Sequence, residues 1–169
     1  AGAWEVYIED LVKESATHLS KITDPSKLPS NVKKTINNYV RKHDDESKPF
    51  SLIGDGWRNI YLEEIVVPAV GKINTPKSYI VDKLFSSYLG IENISNNWNN
   101  KDCIDDFISF RGNIAHRVKA EKNEYVKVEY LEEQILIVRN AIITTDTVVA
   151  QFLSSTLQGR LPWNCVYKE

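Results

Sequence analysis

The chain has 169 residues, 42% of them apolar and 26% charged, the size and mixture expected of one soluble globular domain, 1–169, with a sizeable core. Its formal net charge of -2 gives no general attraction to a polyanion, so a nucleic acid would need a local patch or a groove assembled between copies. Cys103 and Cys165 fit neither a zinc spacing nor a disulfide framework and suit a reduced, intracellular setting. No window is expected to span a membrane.

From the start, Trp4, Ile8, Leu11, Ser15, Leu19 and Ile22 recur at helical intervals, widened by Val12 and Ala16, and predict a first long helix. Pro25 and Pro29 break it. Ser30 is placed to cap a second helix carrying Val32, Ile36, Tyr39 and Val40, which fades near Lys42 to Asp45. His43 beside Asp44, Asp45 and Glu46 reads as a solvated turn, since adjacent acids cannot converge on a metal as a cage does.

After a loop from Pro49 to Gly56, a third stripe runs through Trp57, Tyr61, Ile65 and Ala69, with Pro68 expected to bend or end it and Gly71 to stop it. Thr75-Pro76 is expected to start a fourth helix whose face carries Tyr79, Ile80, Lys83, Leu84, Ser87 and Tyr88, ending at Gly90. Five asparagines surround Trp98 between Asn93 and Asn100, a connection whose tryptophan is expected to dock on the bundle rather than stack on a base. Asn99 or Asn100 caps the next helix, with Asp102 in its first turn.

That fifth helix carries Ile104, Phe107, Ile108, Arg111, Ile114, Ala115 and Val118 as one stripe, with Asp105, Ser109, Gly112 and His116 in a row beside it. An arginine in a buried stripe needs a partner or a function. A break is expected near Lys119 to Asn123. Then Leu131, Ile135, Val138, Ile142, Thr145, Val149, Phe152 and Thr156 alternate steps of four and three without glycine or proline, predicting a single helix over 129–157, long enough to extend a dimer surface. Gly159 is expected to cap it and Leu161-Pro162-Trp163 to fold back. The sum is an all-α, antiparallel helical bundle of about five to six helices with a long C-terminal helix.

Arg111-Gly112-Asn113-Ile114-Ala115-His116 resembles the arginine, four intervening residues, histidine motif of the HEPN superfamily, helical nucleotide-binding and ribonuclease domains. The motif's place near a helix end and the long helix after it are similar too. The resemblance implies that Arg111 and His116 are catalytic, that no metal or other cofactor is needed, and that a homodimer assembles the cleft on an RNA substrate. Asn113 is a polar helper, and Arg117 and Lys119 extend a phosphate-binding rim, with Lys122 a weaker member beside Glu121. The implied role is an endoribonuclease acting as a toxin or defence effector, with an antitoxin or other protein partner. Gly112 stands where the family often places asparagine, aspartate or histidine. With the slightly acidic charge, it motivates an alternative: a non-catalytic module that binds RNA, a nucleotide or a protein. A plainer account pairs Arg111 with Asp105 or another acid and leaves His116 an ordinary helix residue.

Overall fold

A computed structural model describes the backbone of residues 2–22, 24–42, 45–117 and 128–157, with 159 and 163; the side chains of 111–117 and 128–129 are outside that description. The described residues are helical with no strand, and six helices carry the architecture: α1 (Gly2–Ser20), α2 (Ser30–Lys42), α3 (residues 56–70), α4 (Ser78–Leu89), α5 (Lys101–Arg117) and α6 (Val128–Leu157).

α1 buries the expected stripe, Trp4, Ile8, Leu11, Val12, Ser15, Ala16 and Leu19, and packs on α3, α4 and α6. Its C-terminal end is closed from outside by Arg58, whose Nε donates to the Ser20 carbonyl at 2.6 Å and Nη2 to the Ile22 carbonyl at 3.1 Å. Carbonyls at a helix end have no partner within the helix, and a cation there also meets the negative end of the dipole.

α3 departs from the expected pattern. It begins as α-helix over Gly56–Asn59, widens to a π turn over Ile60–Val66, and resumes over Val67–Val70. Pro68 does not end the helix, which runs on to Val70. A new α turn starts at Val67, which puts Pro68 where its missing N–H is not needed, and the wide turn before it bonds Val67 N–H to the Leu62 carbonyl five residues back. The buried positions are therefore spaced by five, Ile60 and Tyr61, Ile65 and Val66, then Val70, and Val70 rather than Ala69 reaches the core.

The loop before α3 is also more ordered than expected, with a 3-10 turn over Lys48–Leu52. Lys48 bonds Glu64 on α3, and Tyr39 of α2 donates to the same carboxylate at 2.9 Å. α4 starts at Ser78, not at Thr75-Pro76, and its buried face is Ser78, Val81, Leu84, Phe85 and Leu89. Gly90 stops it as expected, in the left-handed region at φ 82°; a Cβ there would meet the Pro29 ring.

Trp98 docks. It is 5% exposed, lies edge-on to Trp4 at 5.4 Å between ring centroids, and donates through Nε1 to Thr145 Oγ1 at 2.9 Å. Trp4 Nε1 in turn donates to the Pro76 carbonyl at 3.0 Å, so both buried indoles bring apolar area without an orphaned N–H. α6 spans the domain: its 30 residues rise by about 45 Å. Contrary to the sequence expectation, Tyr130–Leu157 is long and apolar enough, by length and composition, to cross a membrane. Only 28% of that apolar window is buried inside the bundle, where Val149, Ala150 and Leu153 are fully covered. After α6, Gly159 N–H bonds back to the Ser154 carbonyl at 3.3 Å, and Trp163 meets His18 of α1 edge-on at 6.0 Å.

Candidate functional site

The candidate site is the far end of α5, and its first half explains how that end is held. Asn100 stands before the helix and accepts from Ile104 N–H through its carbonyl, with Asp102 in the first turn. Ile104 and Ile108 are buried at 1% and 2% exposure, as the stripe requires. Asp105, on the adjacent row, clamps α4: its Oδ1 accepts from Ser78 N–H at 2.7 Å and its Oδ2 from Ser78 Oγ at 2.6 Å. This carboxylate is the N-terminal cap of α4, supplied from 27 residues away, which is why α4 begins at Ser78 with no cap side chain of its own. Asp82 repeats the device on Ser95 Oγ and N–H, at 2.7 and 2.8 Å, and pins the asparagine-rich connection.

Both carboxylate oxygens of Asp105 are thus engaged by Ser78, so the Arg111–Asp105 pairing of the plainer account meets an acid that already has a structural task. Beyond Ser109, whose hydroxyl bonds the Asp105 carbonyl at 2.7 Å, the backbone stays helical to Arg117. Arg111, Gly112, Asn113, His116 and Arg117 therefore occupy the last two turns of one helix. Their side chains lie outside the described residues, and Lys119, Lys122 and the expected break near Lys119 to Asn123 lie outside them altogether. By helical geometry, Arg111 continues the line of Ile104 and Ile108, while His116 continues the row of Asp105 and Ser109; the two Cα positions differ by about 7.5 Å along the axis and about 140° around it.

The start of α6 packs beside this end. Phe110, immediately before Arg111, meets Tyr130 edge-on at 5.7 Å between ring centroids. Within the two turns that follow Tyr130, Leu131, Ile135 and Leu136 are 43%, 67% and 56% exposed. The helix next to the motif thus presents apolar side chains to solvent.

Among the described residues no group of three or more His, Cys, Asp or Glu side chains is arranged to hold a metal, and Cys103 is exposed and free. His43 and Asp44 lie outside the described residues; neighbouring Asp45 has a turn role, accepting from Ser47 N–H at 2.8 Å and Ser47 Oγ at 2.6 Å. Sequence reasoning missed Asp105 and Asp82 as clamps. Each is a local acid on a helix, and the serine it holds becomes its neighbour only after folding.

No curated protein and no solved structure is significantly similar to the chain. The family model described as RiboL-PSP-HEPN matches residues 1–151, which takes in every helix through the motif and most of α6. The chain belongs to the RiboL-PSP-HEPN family of the HEPN superfamily.

Proposed function

We propose that this protein is a metal-independent endoribonuclease whose active site is completed by two copies of the chain. Family membership supports a helical domain directed at RNA or nucleotides, and the observation that carries the finer reading is the placement of Arg111 and His116 on the last two turns of a helix whose first half is anchored by Asp105, Ile104 and Ile108. In the proposed reaction the ribose 2′-oxygen attacks the adjacent phosphorus as its proton leaves, the bond from phosphorus to the 5′-oxygen breaks, and the leaving oxygen takes a proton. The products are a 2′,3′-cyclic phosphate and a 5′-hydroxyl. An imidazole titrates near neutrality and serves either proton transfer, but one ring cannot accept and donate in the same event. Two copies of His116 across a two-fold axis divide the tasks, and Arg111 stabilises the charge that develops on the phosphoryl oxygens. Asn113 orients a phosphate oxygen, and Arg117 and Lys119 extend the cationic rim.

The exposed Leu131, Ile135 and Leu136 favour a dimer surface beside the motif. The biological role that fits is a cytoplasmic toxin or defence effector controlled by an antitoxin or another protein partner. The test is cleavage of single-stranded RNA in the presence of a chelator: the wild type yields cyclic phosphate ends, and Arg111→Ala and His116→Ala each abolish cleavage while folding and self-association persist. Full activity in either variant contradicts the mechanism. Gly112 favours a second reading, a catalytically silent module that binds RNA, a nucleotide or a protein; RNA binding without cyclic phosphate production would select it.

A further inference from the structure

The stripe Tyr79, Ile80, Lys83 and Ser87 on α4 is not its buried face. Val81, Phe85 and Leu89 fill the core, and the stripe instead walls a groove of about 450 Å3 whose opposite side is the segment after α3. Lys72, Asn74 and Thr75 come from that segment and are exposed, as are Tyr79 and Lys83.

The lining defines a chemistry. Among the described residues, two lysines border the groove and no carboxylate does, a local reversal of the chain's net negative charge. Asp82, the acid within α4, is turned away onto Ser95. The described ion pairs and hydrogen bonds engage neither the Lys72 nor the Lys83 ammonium, so both charges remain available to a ligand. Ile73 and Leu84 give a buried apolar floor, and Tyr79, 66% exposed, offers a ring face at its edge. Burial holds the Tyr88 phenol above the usual tyrosine value, leaving it a neutral hydrogen-bonding group. Anions, a flat apolar surface and hydrogen-bonding edges are combined in a nucleotide, and the volume is of the size that holds one small ligand.

We propose that this groove binds a nucleotide unit, its phosphate between Lys72 and Lys83 and its base against Tyr79 and the Ile73–Leu84 floor. The unit is either a free mononucleotide or one residue of a single strand. The Ser78–Asp105 clamp lies beside Tyr79 and ties the groove to α5, and Arg111 begins about 9 Å further along that helix. Binding itself requires no cleavage.

The experiment uses the intact protein with three probes: adenosine monophosphate, adenosine, and an all-2′-deoxy tetranucleotide that lacks the attacking hydroxyl. Amide chemical shifts are expected to move at residues 72–75, 79, 80 and 83, with adenosine binding at least ten-fold more weakly than its monophosphate. The exposed-residue variants Lys72→Glu with Lys83→Glu, and Tyr79→Ala, should each weaken monophosphate binding roughly ten-fold or more, with unchanged circular dichroism. Equal affinity for monophosphate and tetranucleotide assigns a free nucleotide; tighter binding of the tetranucleotide assigns a strand. Absent shifts at the groove, or wild-type affinity in both variants, overturns the proposal. Groove binding in a protein that does not cleave RNA removes the nuclease reading and leaves this one standing, whereas cleavage with an unresponsive groove does the reverse.

Discussion

The two halves of α6 carry the same apolar rhythm and meet different surroundings. In the C-terminal half, Thr145, Val149 and Leu153 are fully buried. In the N-terminal half, the matching positions Leu131 and Ile135 are exposed, and burial passes to Gln134, Ile137 and Ala141, roughly a quarter turn around the helix. Tyr7 of α1 marks the change: its hydroxyl bonds Asp146 Oδ1 at 2.7 Å and the Ile142 carbonyl at 3.1 Å. Toward the start of α6, α5 is a neighbour, with Phe110 against Tyr130. A regular apolar repeat thus specifies a helix but not which part of its face the same chain will cover. The uncovered part lies beside the proposed catalytic motif.

Substitutions can break this contrast. Leu153→Ala should cost about 2–5 kcal/mol in urea unfolding, because it empties a fully buried site. Asp105→Ala should follow at about 1–3 kcal/mol, since it leaves the amide of buried Ser78 without its acceptor at the start of α4. Thr145→Val keeps the shape but strips the acceptor from the Trp98 indole, at about 1–2 kcal/mol. Ile135→Ser and Leu136→Ser in the uncovered half should change monomer stability by less than about 0.5 kcal/mol; sedimentation should instead show weakened self-association, and RNA cleavage should fall with it. A loss of stability like that of Leu153→Ala would mean that this half is covered by its own chain.

The smallest effect concerns His18 near the end of α1. Burial, reinforced by Lys21, lowers its folded pKa below the ordinary 6.5. Its contribution to stability is therefore fully present above 6.5 and is lost as pH falls through the lowered folded value. His18→Gln should flatten the pH dependence of unfolding in that window.

How much of this was legible in the sequence depended on how local each cause is. α1 and α6 were, because their apolar repeats run unbroken for many turns. Gly90 and the docking of Trp98 were too, one set by backbone freedom and the other by the area a tryptophan buries. The shift from Ala69 to Val70 was not, since periodicity assumes an α turn and the segment before Pro68 adopts a wider one. The start and buried face of α4 were misplaced for a different reason: its cap comes from Asp105, and its Tyr79–Lys83 stripe faces a groove rather than the core. Arg111 and His116 could be placed on one helix end from spacing, and the backbone puts them there.

The most direct test is to incubate single-stranded RNA with the purified protein in excess chelator and analyse the termini formed, with His116→Ala in parallel. The account predicts 2′,3′-cyclic phosphate and 5′-hydroxyl ends from the wild type and none from a folded, self-associating His116→Ala protein. Cleavage that requires a divalent metal, or that survives the loss of His116, would contradict it.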